Sequence, residues 1–335
     1  DLSFFDYYQF DKKPHFFNKK FCELFGSIRE KNSKINSRHH QIAGALQRAF
    51  ERIVYHLLSI TKKNGCGSEN IILAGGAAMN CVFNGLLNKK SIYKNNYIPP
   101  WPDDSGVSIG ATYLANFIKK KKNKSKAPAN VYLGPSFSNK EIIETIKKYN
   151  LKYSKPKNVC SYTAEKLNRG YLIGWFQGNM EFSHRALGNR SIIADPRKKV
   201  FKEKVNSAIK YRESFRPFAP AVLENHAHKI FDLRKSEKVY FMEKAIKVKK
   251  NWKEKIPAVV HVDNTSRVQT VSKKLNQKFY KLIEEFNKIT SVPVILNTSF
   301  NLNGEPVVLS PSDAIRTFYT CGLDYLVLGD YVIKK

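Results

Sequence analysis

VPVILNTSFNLNGEP, residues 292–306, joins a short apolar strand directly to a loop dense in side-chain amides and hydroxyls. Asn297, Thr298, Ser299, Asn301 and Asn303 bring donors and acceptors, and Gly304 lets the backbone turn with no side chain in the way. Polar groups at a strand's end commonly face a cleft, so the pattern predicts a strand that carries a polar ligand at its tip. Ordinary surface turns share the composition, and the neighbouring chain has to decide between the two.

Upstream, residues 181–220 read EFSHRALGNRSIIADPRKKVFKEKVNSAIKYRESFRPFAP and follow a short apolar segment at 171–176. Arginines concentrate here, at Arg185, Arg190, Arg197, Arg212 and Arg216, while the rest of the chain prefers lysine. A planar guanidinium grips phosphate or carboxylate in two-pronged fashion, so the local exchange of Lys for Arg points to anion recognition. Lys210 and Arg212, two apart, would share one side of an extended segment.

Earlier in the chain, Ser37 is placed to cap a helix whose apolar positions Ile42, Leu46, Phe50, Ile53, Val54, Leu57 and Leu58 recur at helical spacing, ending before Asn64 and Gly65. A short strand at 71–74 then meets Gly75 and Gly76, a pair that either makes a plain strand-to-helix turn or lets backbone approach a nucleotide. Asp103 and Asp104 open another helix-like stretch at 107–117, where acids are favoured by the helix dipole whatever their function. Residues 312–318 read as helix and 325–333 as closing strands.

The chain has 335 residues, 42% of them hydrophobic, enough for two cores. The best boundary is the lysine-rich KKKKNKSKAPAN at 119–130. No run of about eighteen apolar residues and no signal pattern is visible, which predicts a cytoplasmic protein without a membrane span. The cysteines, Cys22, Cys66, Cys81, Cys160 and Cys321, are scattered and lack CxxC spacing, so neither a disulfide framework nor a zinc site is indicated. A formal net charge of +30 invites a nucleic-acid reading. The excess is Lys spread along the whole chain with no nucleic-acid motif beside it, so a solvated lysine surface is favoured and no specific nucleic acid is expected.

The motifs resemble the carboxy-terminal part of the ATP-dependent O-carbamoyltransferases of the NodU/CmcH type. The likeness runs nearly end to end, on LAGGAAMNCVFN at 73–84, DDSGVSIGA at 103–111, YLGPSFS at 132–138, RALGNRSIIADPR at 185–197, KYRESFRPFAPAVL at 210–223, SRVQTV at 266–271 and LNTSFNLNGEPVV at 296–308. Lys210-Tyr211-Arg212 and Thr298-Ser299-Phe300-Asn301 also look like the KxR and TSxN elements of YrdC-type adenylate-forming domains.

The resemblance implies an α/β fold: one lobe of an actin-like (ASKHA) nucleotide-binding domain at 1–125, then a YrdC-like domain at 126–335. It implies two stages, formation of carbamoyl adenylate from carbamoyl phosphate and ATP, then transfer to a hydroxyl of a sugar, antibiotic or other small molecule. Lys210, Arg212 and Arg216 would balance phosphate charge, with Mg²⁺. Arg185 and Arg190 would grip carbamoyl phosphate, while Asn297, Ser299 and Asn301 would orient nucleotide phosphates or the carbamoyl amide. Thr298 would join Gly75, Gly76 and Asn80 in nucleotide binding.

Asp104 stands where related enzymes hold a divalent metal, Fe²⁺ in this reading, together with an HxxxH pair that this chain lacks. That lack, and a single lobe's worth of chain before the linker, predict a portion or split partner of a longer enzyme whose amino-terminal lobe is missing here. A second departure is Ser183-His184, where the family commonly has Gly-Pro. Two rivals stay open: an adenylate-forming protein of tRNA threonylcarbamoylation, and a non-catalytic nucleotide-binding subunit.

Overall fold

The computed structural model describes residues 2–6, 16–31, 33–65, 67–90, 92–120, 130–210 and 216–335. Contacts divide the chain into two compact units, Asp1–Ser68 and Glu69–Lys335. The first holds helices α1 (Lys19–Phe25) and α2 (Ser37–Asn64). The expected long helix is present, with one correction at its start. Asn36 is the cap, not Ser37, because its side chain accepts from the His39 backbone while the His39 ring accepts from the Asn36 N–H.

The second unit opens with β1 (Asn70–Ile72), α3 (Cys81–Lys90), β2 (Asn95–Tyr97) and α4 (Val107–Lys120), with β1 and β2 paired in parallel. Its larger part follows as α5 (Asn139–Lys148), α6 (Val159–Asn168), β3 (Ile173–Phe176), β4 (Arg190–Ala194), α7 (Lys199–Val205), β5 (Ala219–Leu223), α8 (Ala227–Ile230), β6 (Ala245–Lys247), β7 (Thr265–Arg267), β8 (Gln269–Val271), α9 (Gln277–Thr290), β9 (Val294–Ser299), α10 (Pro311–Tyr319), β10 (Tyr325–Leu328) and β11 (Tyr331–Lys334). Seven of these strands form one mixed sheet in the order β11-β10-β3-β4-β9-β5-β8. The protein is therefore a mixed α/β chain built around one large sheet. Residues 121–129, most of the expected linker, lie outside the described residues.

β4 and β9 sit at the centre, antiparallel, with Ser191 opposite Ser299 and Ile193 opposite Asn297. Burial on both faces explains the unbroken apolar stretches at 192–194 and 294–296, where an alternating pattern would otherwise be expected. β4 is buried throughout, and β9 is buried from Val294 to Asn297 but half-buried at Thr298 and Ser299. The strand thus leaves the core at the point where its sequence turns polar. α9 seals one face with Phe279, Leu282, Ile283 and Phe286, an i, i+3, i+4, i+7 stripe that is fully buried.

Gly188, in the loop before β4, adopts φ +108°, and a Cβ there would lie 2.2 Å from the Phe279 ring. Only glycine fits both demands. Gly188→Ala is expected to cost roughly 2–4 kcal/mol through backbone strain and overpacking, read as a lowered denaturant midpoint at unchanged slope.

Candidate active site

The tip of β9 opens into a polar cavity of about 240 Å³. Asn297, Thr298 and Ser299 come from the strand itself, His184 and Arg185 from the loop before β4, and Arg216 and Arg267 from segments flanking β5 and ending β7. Five of the residues singled out in the sequence, Arg185, Arg216, Asn297, Thr298 and Ser299, therefore meet at one place. Arg267 was missed, although it lies in the SRVQTV segment. A larger cavity of about 440 Å³ is lined mainly by aromatic and apolar side chains, including Trp101, Tyr132, Tyr240 and Phe241, and gathers none of the expected site residues.

Lys210 is 5% exposed and closes the turn behind Ser299. Its ammonium donates to the Ser299 carbonyl at 2.6 Å, to Asn301 Oδ1 at 2.7 Å and to the Asn301 carbonyl at 2.9 Å, with Ser299 Oγ at 3.2 Å. Asn301 Nδ2 donates to the Glu305 carbonyl at 2.6 Å, which turns Oδ1 toward the lysine. Lys210 thus shapes the loop that carries Ser299. It ends a π-helical turn, Asn206–Lys210, so the extended geometry expected for Lys210 and Arg212 does not hold at Lys210. Arg212 lies outside the described residues.

The 185–190 loop is held by Glu181, 4% exposed, whose Oε1 accepts the backbone N–H groups of Leu187 at 2.6 Å, Asn189 at 3.2 Å and Arg190 at 3.3 Å. Arg185 is half-buried, and its guanidinium has no hydrogen-bond or ion-pair partner among the described residues. Burial holds that guanidinium below its ordinary value, with the Cys81 thiol nearby acting the other way. A half-buried guanidinium on a polar cavity, without a counter-charge among the described residues, has donors left over that an anion could use.

Arg190 goes elsewhere. It is fully buried, stacks 3.6 Å over the Phe176 ring, and donates to the carbonyls of Gln177, Gly178, Asn189 and Pro135. Burial pulls it down to about 10. Its Nη1 and Nη2 donors serve the fold while its buried Nε has no hydrogen-bond partner among the described residues, and it does not line the cavity.

His184 joins the cavity to the turn before α4. Its Nε2 lies 2.8 Å from Asp103 Oδ1 and 3.2 Å from Ser105 Oγ, and Ser105 itself donates to Asp103 at 2.7 Å. The Ser105 hydrogen bond first, then His184, hold the Asp103 carboxyl below its usual range. Gly75 takes φ +90°, and at both Gly75 and Gly76 the space a Cβ would fill is open. Asn80 caps α3, its Oδ1 accepting from the Phe83 N–H at 3.0 Å. These three lie apart from the 240 Å³ cavity. Asp104 is exposed, and no group of three or more His, Cys, Asp or Glu side chains able to hold a metal is found among the described residues. Asp104 with its surroundings does not fit a tightly held divalent ion, which takes three or four protein ligands.

The carbamoyltransferase C-terminus family model matches residues 164–335, a span that holds every residue of this cavity, and the carbamoyltransferase N-terminus model matches residues 3–113. The chain belongs to the carbamoyltransferase family. Among its relatives, Nodulation protein NolNO of Sinorhizobium fredii is 39% identical over 312 residues, covering 92% of this chain and 46% of that protein. Nodulation protein NolO of Bradyrhizobium diazoefficiens is 38% identical over 312 residues, covering 92% and 57%. An uncharacterized protein of Synechocystis is 38% identical over 351 residues, covering 95% and 56%. This carbamoyltransferase-family chain spans about half the length of the curated relatives it matches. Among solved structures, full-length HypF in its phosphate- and nucleotide-bound form overlaps 53% of this chain and 26% of its own, with a TM-score of 0.37 and 16% identity.

Glu181 was not recognised from the sequence, since a lone acid at the head of a basic run gives no sign that it binds backbone. Glu181→Ala strands the N–H groups of three residues and is expected to lower stability by about 2–4 kcal/mol. Glu181→Gln, which keeps an acceptor oxygen, should cost distinctly less in the same chemical denaturation series.

Proposed function

We propose that this chain binds carbamoyl phosphate and ATP at the tip of β9, forms carbamoyl adenylate, and serves an ATP-dependent transfer of the carbamoyl group to a hydroxyl of a small-molecule acceptor. The observation that carries this reading is Arg185, a half-buried guanidinium with no partner among the described residues, on the rim of a cavity that also holds Arg216, Asn297, Thr298 and Ser299. Membership of the carbamoyltransferase family supplies the group transferred. The finer assignments belong to the same proposal: a YrdC-like domain at 126–335, an actin-like lobe at 1–125 with Gly75, Gly76 and Asn80 toward a nucleotide, and a cytoplasmic setting. No helix among the described residues is long and apolar enough to cross a membrane.

In this scheme water cleaves carbamoyl phosphate to carbamate and inorganic phosphate. A carbamate oxygen attacks the α-phosphorus of ATP, the bond to the β-phosphate oxygen breaks, and pyrophosphate leaves. The acceptor hydroxyl later attacks the carbamoyl carbon, AMP departs with the bonding pair, and the hydroxyl proton passes to a base. Catalysis of the middle step is largely positioning and charge stabilisation. Arg185 and Arg216 would hold the anionic oxygens, and Lys210 would hold the turn that follows β9. Arg212, by the resemblance, completes the cationic set, and Mg²⁺ arrives with ATP.

Pyrophosphate release from carbamoyl phosphate, ATP and Mg²⁺ tests the proposal. Arg185→Ala and Lys210→Ala should each lower kcat/KM roughly 10- to 100-fold, corresponding to about 1.5–3 kcal/mol for a charge-assisted contact. Unchanged rates in both would remove the cavity from the reaction. Release that required threonine and bicarbonate would assign the chain to tRNA modification, and ATP binding without turnover would leave it a nucleotide-binding subunit.

A further inference from the structure

We infer that His184 is the general base that takes a proton from the water attacking carbamoyl phosphate, a role that rests on the proposed binding of that ligand in the polar cavity. The resemblance assigns no role to His184 or to its partner Asp103. The His184 side chain is 37% exposed and lines the cavity beside Arg185, so solvent reaches the ring where the guanidiniums gather.

The turn before α4 fixes which ring nitrogen is the base. Nε2 lies 2.8 Å from Asp103 Oδ1 and 3.2 Å from Ser105 Oγ. A carboxylate only accepts, and the Ser105 hydroxyl has already given its hydrogen to the same Oδ1 at 2.7 Å. Both neighbours of Nε2 therefore call for a hydrogen from it, and in the neutral imidazole that nitrogen carries the proton. Nδ1 is then the nitrogen with the free lone pair, and it has no hydrogen-bond partner among the described residues. The backbone is tethered on the same side. Ser183 Oγ donates to the Pro100 carbonyl at 3.4 Å and accepts the Arg185 N–H at 3.2 Å, so imidazole and guanidinium are neighbours on one anchored turn.

A carboxylate that orients one ring nitrogen and leaves the other free is the arrangement general-base catalysis uses. Nothing else lining the cavity competes for the task. Arg185, Arg216 and Arg267 keep their protons, and the amide and hydroxyls of Asn297, Thr298 and Ser299 are not bases at neutral pH. The step itself needs a proton acceptor. The water oxygen bonds to phosphorus, the bond from phosphorus to the carbamoyl oxygen breaks, carbamate leaves with the bonding pair, and a water proton passes to Nδ1. The imidazolium so formed faces Asp103, whose negative charge stabilises it until the proton is returned to solvent.

Two variants of the full chain test the assignment through phosphate release from carbamoyl phosphate, with spontaneous decay subtracted. His184→Gln keeps an N–H for Asp103 and loses the basic lone pair. Its kcat should fall about 10²- to 10⁴-fold, while KM and the calorimetric affinity for inorganic phosphate stay within about threefold, because Arg185 and Arg216 still hold the anion. His184→Ala opens room for free imidazole, which should restore its rate at least about tenfold. Wild-type kcat in His184→Gln overturns the assignment, as does a loss in His184→Ala that imidazole leaves untouched. A fall in phosphate affinity as large as the fall in rate overturns it too, since His184 would then only place Arg185. If His184→Gln fails to fold, the imidazole experiment decides. A wild-type chain that binds carbamoyl phosphate without cleaving it also removes the base. Failure of the wild-type chain to bind carbamoyl phosphate at all brings down the proposed function itself, an outcome distinct from cleavage indifferent to His184.

Discussion

The cavity depends on a single carboxylate oxygen, Oε1 of Glu181, which gathers the backbone N–H groups of Leu187, Asn189 and Arg190. With those donors fixed, the carbonyls of residues 186–190 point in set directions, and each finds a partner. Ala186 accepts from Asn297, Leu187 from Gln269 and Tyr132, Gly188 from Trp175, and Arg190 from the Phe300 N–H. The side chains that form the site are thereby positioned by backbone. Buried backbone groups must be paired, and here their pairing determines which way the site's amides point. A carboxylate in the place an anion might take also means that these N–H groups are not a phosphate nest.

The arginines show how the same residue type divides between fold and site. Arg190 begins β4, and its side chain turns under the sheet onto Phe176, where four carbonyls surround it. Arg197 closes a two-pronged pair with Asp195 and reaches Asn168. Arg185 lies in the loop before β4, past the end of any strand pairing, and its guanidinium has nothing to donate to among the described residues. In the sequence all three look alike. Strand register and the carbonyls left over by the loops separate them, and neither can be read from a local run of residues.

What was legible follows the same line. The apolar run ending in Asn-Thr-Ser announced β9 and the polar tip, because burial on both faces of a central strand demands continuous hydrophobicity and its loss marks the exit from the core. The long helix in the first unit was legible from its period, while its cap moved by one residue because Asn36 and Ser37 are both good caps and only the reciprocal bond with His39 decides. Lys210 was expected on an extended segment and instead ends a π-helical turn and holds the Ser299–Asn301 turn, since such a turn carries no signature in the spacing used to judge it. Glu181, Gln269 and Arg267 were missed as individuals because their importance lies in long-range hydrogen bonds and in the cavity they share. Tertiary contact creates that kind of signal, and composition does not carry it.

Charge connects the cavity to the rest of the molecule. The formal excess of +30 is carried mostly by lysines along the chain, and the residues in the cavity are of a different kind. Exposed ammonium groups are strongly hydrated and screened within about 10 Å at 0.1 M salt. They raise the local concentration of anions and leave the choice among them open. Choice requires partly buried groups with incomplete hydrogen bonding, where desolvation makes each unmatched donor or acceptor costly. Arg185, half-buried on the cavity with no hydrogen-bond or ion-pair partner for its guanidinium among the described residues, is such a group. Under the proposed function, attraction is general and spread over the surface, while choice is local to the cavity beside the loop that Glu181 holds.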